Sequence, residues 1–372
     1  MDKKLIVLLC GPALESKNAA YGGGVGGYTR NMFVYLKYFK SEKFLLEPCF
    51  QTVRNNRTPI IIQFPLRLIK DTVSLLSKLV KEKPFIVHIM GQYRSATPKE
   101  FMAVFISKLF RKKVIYEIKA GKFINYYYSA NAASKFMLRY MLKKSTIILV
   151  EGGVYLEFVN KLINANRSYL FPNFVPIEQV PKTNSPKLWS EKLKVLFVGF
   201  CYDGKGVFDL IKGLNSAAVR GQNIELTLIG EEETKFKNWL DSFSLNKNFI
   251  VNRRGKQLHE IVLEEMATHD IYFYPSKHSG EGHNNSINEA MMNNMVIVTT
   301  KIGFLPSVLM DNAYFLEEVS DTAIADIVNH ISQNKDEAVS KALNAKVRLI
   351  DEYTSDKQIP MLESYYNLVL KS

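Results

Sequence analysis

The sequence predicts an α/β protein built from two doubly wound, mostly parallel sheets, and three observations carry that prediction. Short apolar runs alternate with helical patterns along almost the whole chain. The alternation breaks once, through Leu170-Phe171-Pro172-Asn173-Phe174-Val175-Pro176 and the loop from Pro181 to Pro186, and then restarts. At 372 residues the chain has room for two cores of ordinary size, one on either side of that break.

In the first half, Leu5–Cys10, Ile60–Phe64, Phe85–Met90, Val114–Ile118 and Thr146–Val150 read as strands, being short, apolar and bounded by polar or turn-forming residues. In the second half Leu193–Val198, Ile224–Ile229, Phe249–Val251, Ile271–Tyr274 and Val296–Thr299 do the same. Strands separated by helices imply sheets covered on both faces. The domains are therefore expected at 1–172 and 173–355. A last helix over about 356–372 carries Leu362, Tyr365, Tyr366 and Val369 at helical spacing.

Composition excludes several classes. Apolar residues make up 47% and charged residues 23%, as in soluble globular proteins. Cys10, Cys49 and Cys201 are odd in number and far apart, which speaks against a disulfide framework or metal cluster and for a reducing, cytoplasmic setting. The opening run ending at Cys10 is short and meets Gly11-Pro12 and Glu15, so it reads as a first strand rather than a signal peptide. No stretch approaches the roughly 20 uncharged apolar residues of a membrane span.

Charge is shared unevenly. Residues 1–172 hold 28 Lys or Arg and 10 Asp or Glu, a net of +18, whereas 173–372 hold 21 and 26, a net of −5. Such asymmetry points to an anionic partner for the first half. Three basic amphipathic segments contribute: Leu66–Lys83, Phe101–Lys113 and Lys135–Lys144. In the first, Ile69, Val73, Leu76 and Val80 form an apolar stripe beside Lys70, Lys78 and Lys81. These stripes either face the core with their lysines in water, or dock on an anionic bilayer. Nucleic acid is not the expected partner, since no binding motif accompanies the charge.

The chemistry concentrates in Ser276–Ala290, between the apolar run Ile271–Tyr274 and a helix carrying Met291 and Met292. Glu281 and Glu289 lie with seven residues between them across this turn. Ligands of open α/β sheets bind at the carboxyl ends of strands, where a carboxylate is suited to accept hydrogen bonds from sugar hydroxyls. Ser286 with Glu289 three residues on also fits a capping box, so Glu289 has a structural alternative. Glu281, between Gly280 and Gly282, has none.

Glu281-Gly282, the gap to Glu289-Ala290-Met291, then Val296-Ile297-Val298-Thr299 and Gly303 resemble the Glu-x7-Glu signature of the retaining GT-B glycosyltransferases of family 4, the group 1 transferases. The resemblance implies a GT-B fold, two Rossmann-like domains facing each other across a cleft, the first binding acceptor and the second the nucleotide-sugar donor. It also implies that the C-terminal helix packs back onto the first domain, and Pro172-Asn173 resembles the family's hinge dipeptide.

Further residues follow. Gly22-Gly23-Gly24-Val25-Gly26-Gly27 contains G-x-G-x-x-G, but Ala13 to Tyr21 separate it from the first strand, so a dinucleotide site is disfavoured. A loop whose bare amides approach an anion, followed by a helix at Tyr28–Phe39, fits better. By resemblance Gly23, Gly24 and Gly26 face the donor phosphates. Val198-Gly199 to Gly206 resembles the phosphate loop of the family, with Lys205 on the diphosphate. Phe200 stands where many relatives have Arg, and Arg253 or Arg254 is the candidate to supply the missing cation. Lys119, in Ile118-Lys119-Ala120-Gly121, occupies the place of a family His or Arg near the transferred sugar. His88, inside Val87-His88-Ile89, reads as structural.

The expected reaction is transfer of a sugar from a nucleotide diphosphate sugar with retention, to a glycan or lipid-linked glycan, as in cell-surface polysaccharide synthesis. Lys205, the glycine-loop amides and the helix start after Asn285 would neutralise the departing diphosphate. Glu281 would face the transferred sugar, Glu289 the ribose, and Asn284, Asn285 and Ser286 the sugar and phosphates. Gly199 and Arg254 complete the expected donor set. No Asp-x-Asp is placed to hold a divalent ion, so no metal or other cofactor is expected. The expected location is cytoplasmic, peripheral to the inner membrane face. The alternatives are a GT-B enzyme of another reaction type, an epimerase or phosphorylase, and a non-catalytic nucleotide-sugar-binding peripheral membrane protein.

Overall fold

The computed structural model describes residues 4–12, 23–52, 60–119, 121–182, 191–278 and 280–372. The chain divides into two compact units, one with the first strand, Tyr28–Asn173 and Ser355–Ser372, the other with residues 23–27 and Phe174–Thr354.

The first unit runs β1 (Leu5–Pro12), α1 (Gly23–Tyr38, counted in this unit from Tyr28), β2 (Phe44–Gln51), α2 (Ile60–Lys81), β3 (Ile86–Gly91), α3 (Thr97–Leu109), β4 (Lys113–Ile118), α4 (Phe123–Ser129), α5 (Ala132–Lys144), β5 (Ile147–Val150), α6 (Gly153–Ile163) and β6 (Ser168–Leu170). Its strands are parallel in the order β2-β1-β3-β4-β5-β6. Every residue of β3 is buried, as expected of a strand covered on both faces.

Two expectations are corrected. Ile60–Phe64 is not a strand but the first turn and more of α2, and the strand before it is Phe44–Gln51. A short apolar run has no period that separates strand from helix. Glu47 and Pro48 disguised β2, and they are tolerated because β2 is an edge strand. The helix expected at Tyr28 begins at Gly23, so Gly23, Gly24 and Gly26 lie in helix rather than loop, and Gly22 is outside the described residues. Glycine's helix penalty, about 1 kcal/mol relative to alanine, is a weak prior that tertiary context overrides.

The second unit runs β7 (Leu193–Val198), α7 (Val207–Val219), β8 (Ile224–Ile229), α8 (Thr234–Ser242), β9 (Phe249–Gly255), α9 (His259–Thr268), β10 (Ile271–Tyr274), α10 (Asn285–Met292), β11 (Val296–Thr300), α11 (Leu305–Leu309), β12 (Tyr314–Leu316), α12 (Asp321–Gln333) and α13 (Lys335–Glu352). Its order is β12-β11-β10-β7-β8-β9, again parallel. The three-residue edge strands β6 and β12 are too short to show a period and were not foreseen.

The last helix, α14 (Ser355–Lys371), belongs to the first unit. There the fully buried Tyr366 packs on Phe39 and Phe44, with ring centroids 5.4 and 5.6 Å away. In each sheet the strand order reverses at one place, between β1 and β3 and between β7 and β10. Chains leaving the two strands at such a point diverge to opposite faces and leave a crevice at their carboxyl ends.

Candidate active site

In the second unit, Lys205 follows β7 and Glu281 follows β10, so the two straddle the reversal point of the sheet. Lys205 Nζ donates to Glu281 Oε1 at 2.7 Å and also to the Tyr274 hydroxyl, over whose ring it sits 4.7 Å from the centroid. Glu281 accepts three further bonds: from Ser276 Oγ to Oε1 at 2.6 Å, and from Tyr274 Oη and Asn284 Nδ2 to Oε2 at 3.0 and 3.4 Å. Both carboxylate oxygens thus have two donors each, the full complement of such a group. Burial pushes the Glu281 carboxyl up, but the charge and hydrogen bond of Lys205, with those of Ser276 and Tyr274, outweigh it and hold it below the usual value. The side chains remain 17% and 10% exposed, so the pair is reachable from solvent.

The surrounding backbone holds this geometry. Thr299 and Thr300 of β11 donate to the carbonyls of Tyr274 and Ser276, each at 2.8 Å. Gly303 has φ +61°, and a Cβ there would lie 2.0 Å from the Glu281 carbonyl oxygen, so only glycine lets the two loops approach. Gly206, at φ +68°, meets the Pro275 carbonyl in the same way, at 2.1 Å. Lys277 adds a clasp, its Nζ lying 3.2 Å from Asp203 and 2.6 Å from Asp209.

Glu289 is a second buried carboxylate, 7% exposed, and His259 Nε2 lies 2.8 Å from its Oε1. The capping-box alternative does not form. The N-cap of α10 is Asn284, Ser286 is already helical, and the Ser286 hydroxyl accepts from Tyr272 at 2.9 Å. The Asn284 side chain turns to Glu281 instead of capping, and Asn285 opens the helix.

The other expected site residues are engaged elsewhere. The Gly199 amide donates to Ile229 at 2.9 Å, within the sheet edge. Arg254 pairs with Glu265 at 2.7 Å, and Arg253 is held between Glu232 and Asp241, so neither stands as an uncommitted cation. Phe200 is exposed, its ring 5.3 Å from that of Tyr202.

Lys119 belongs to a buried network of the first unit. Its ammonium lies 3.1 Å from Glu117 and donates to Asn173 Oδ1 at 2.9 Å and the Phe171 carbonyl at 3.4 Å, which uses all three of its donors. Glu117 also accepts from Tyr35 at 2.8 Å and lies 3.2 Å from His88 Nε2, while His88 Nδ1 meets Tyr366 at 2.9 Å. Lys119, expected near the transferred sugar, is thus engaged within a buried network. His88 is a buried core histidine, as its apolar strand suggested, bonded through Nδ1 while its Nε2 only lies beside Glu117.

Sequence reasoning missed Tyr274, Ser276 as a ligand of Glu281, and His259. The alternation of Tyr272 and Tyr274 at the end of a strand was a usable signal, since both then point to one side. His259 gave none.

Residues 181–348 match the family described as "Glycosyl transferases group 1". The second unit carries a group 1 glycosyl transferase domain. A capsular polysaccharide biosynthesis glycosyltransferase, CapM of Staphylococcus aureus, is 23% identical over 334 residues, 82% of this chain and 83% of that one. Among solved structures, sucrose-phosphate synthase of Thermosynechococcus elongatus superposes with a TM-score of 0.75 at 13% identity, covering 99% of this chain and 100% of the other. HepE of Anabaena, solved in complex with UDP and glucose, gives a TM-score of 0.70 at 11% identity, covering 98% and 99%. At such identities the structural likeness speaks for the fold alone, and that fold is GT-B. The chain is a glycosyltransferase with relatives in capsular polysaccharide biosynthesis.

Proposed function

We propose that the group 1 transferase takes its sugar from a nucleotide diphosphate sugar, retains the configuration at the anomeric carbon, and delivers it to a glycan or lipid-linked glycan in surface polysaccharide synthesis. The observation that carries this reading is the Lys205–Glu281 pair across the reversal point of the second sheet. Donor transfer needs positive charge on the departing diphosphate and negative charge facing an oxocarbenium-like carbon. Lys205 supplies the first without a metal, and Glu281 the second, its ionised state secured by four donors. An incoming diphosphate competes for the Lys205 ammonium, and sugar hydroxyls replace donors on Glu281. Glu289, oriented by His259, accepts from the ribose, and the start of α10 at Asn284, Asn285 and Ser286 lies against the phosphates. Names of relatives support the substrate class: HepE is solved with UDP and glucose, and a TarM mutant of S. aureus with UDP and α-GlcNAc-glycerol. Association with an anionic membrane surface is part of the same reading.

The test is incubation with a panel of nucleotide sugars, following nucleotide release with and without lipid-linked acceptor. Glu281→Ala is expected to abolish transfer with the fold intact, and the anomeric proton coupling of the product to show retention. Turnover near wild type in Glu281→Ala, or an inverted product, sinks the corresponding part of the proposal.

A further inference from the structure

Three helices on one side of the first sheet carry apolar side chains on the face turned away from it. α2 packs on α3, and α3 on α5. In α2, Leu75 and Leu79 are buried, whereas Leu66, Ile69, Val73 and Val80 are 58–62% exposed. At 3.6 residues per turn these four span an arc of roughly 60°, opposite the buried pair. Lys70 and Lys81 border that arc. The stripe legible in the sequence is thus largely the outer face of the helix, and α2 has two apolar faces where a surface helix ordinarily has one.

The neighbours continue the pattern. Leu109 of α3 is 70% exposed and Phe136 of α5 63%. Between these helices Phe101 meets Tyr140 and Phe136, with ring centroids 5.1 and 6.3 Å apart. Monomeric proteins rarely leave such groups adjacent and uncovered unless something docks there. Charge identifies the partner: segments 66–85, 101–113 and 135–144 hold five, four and four Lys or Arg, against two Asp or Glu in all.

We propose that this face of α2, α3 and α5 docks the protein on an anionic lipid bilayer. The aliphatic stripe and the Phe101–Tyr140 cluster enter the headgroup region while the bordering lysines meet lipid phosphates. A second copy is disfavoured, because pairing two such faces brings like charge together. No helix among the described residues is long and apolar enough to cross a membrane, so the contact is with the surface. This gives a place to the membrane partner of the transferase reading, and rests on that reading only for its purpose, presentation of a lipid-linked acceptor.

The test is cosedimentation of the full chain with vesicles of phosphatidylcholine alone or mixed with phosphatidylglycerol. Wild type is expected to bind the mixed vesicles, less so at high salt. The double variant Ile69→Asp/Val73→Asp should lower partitioning at least tenfold, and Lys70→Glu/Lys81→Glu should lower it too. All four positions are at the surface, so folding is retained, and circular dichroism checks it. Val219→Asp, an exposed apolar residue of the second unit, should change nothing. Equal binding to both vesicle types, unchanged partitioning of Ile69→Asp/Val73→Asp, or vesicle-independent dimers that this variant dissolves would each overturn the proposal. Nucleotide release by the same variants separates the two readings: absence of release even in wild type sinks the transferase proposal and leaves the vesicle result to stand alone.

Discussion

Each unit carries a lysine–glutamate pair near the carboxyl end of its sheet, and the two pairs do opposite things. Lys119 and Glu117 are each 1% exposed and bonded to α1, β3 and the segment Phe171–Asn173, whereas Lys205 and Glu281 remain 17% and 10% exposed beside a crevice of the sheet. Glu117 is also pushed up by burial and held below its usual value by Lys119, His88 and Tyr35. The electrostatics of the two carboxylates are therefore alike. What differs is reach: the first pair has every donor spent inside the core, the second has solvent at its edge. A depressed carboxylate beside a lysine marks structure as readily as chemistry.

The comparison can be broken most sharply at Glu117. Glu117→Leu strands Lys119 and His88 in the core, and should cost about 3–5 kcal/mol, read as a lower urea midpoint. A loss below about 1 kcal/mol would show that water reaches the network.

Lys205→Met is the matching experiment in the second unit. Transfer should fall roughly 100- to 1000-fold, as for loss of one preorganised charge-stabilising group, with the urea midpoint lowered less than in Glu117→Leu because this pair is partly exposed. It also tests the pH behaviour. With its carboxyl depressed, Glu281 contributes stability that is complete above the unfolded value of about 4.3 and lost as pH falls through the lower folded value. Without Lys205 the remaining burial should drive that carboxyl up, and an NMR titration of Glu281 should show it. An unmoved titration would mean the pair is not coupled.

Gly303→Ala probes the backbone under Glu281. A left-handed φ costs an alanine roughly 1–2 kcal/mol, and the blocked approach to the Glu281 carbonyl must displace the loop. Stability should fall by about that amount and kcat roughly tenfold, whereas Gly221→Ala, at φ +103° with open space around it, should lose stability alone.

His259→Ala is expected to have the smallest effect. Losing its bond to Glu289 should raise the donor Kd roughly tenfold, about 1.4 kcal/mol, with kcat nearly unchanged. Loss of kcat instead would move His259 from positioning Glu289 into the chemistry.

The sequence by itself determined the two-sheet architecture, the central break, and the spacing that brings Lys205 and Glu281 to strand ends, because apolar runs and turn-forming residues act within a few neighbours along the chain. The edge strands β2, β6 and β12 escaped it, Phe44–Gln51 because Glu47 and Pro48 break the pattern and the other two because they are three residues long, and so did the early start of α1. Only the tertiary structure decided that Lys119 is buried and saturated while Lys205 is reachable, that Tyr274 and Ser276 hold Glu281, and that the stripe of α2 faces outward. Those outcomes depend on contacts between residues distant in sequence, and a period of 3.6 reveals that a helix has an apolar face without revealing what that face meets.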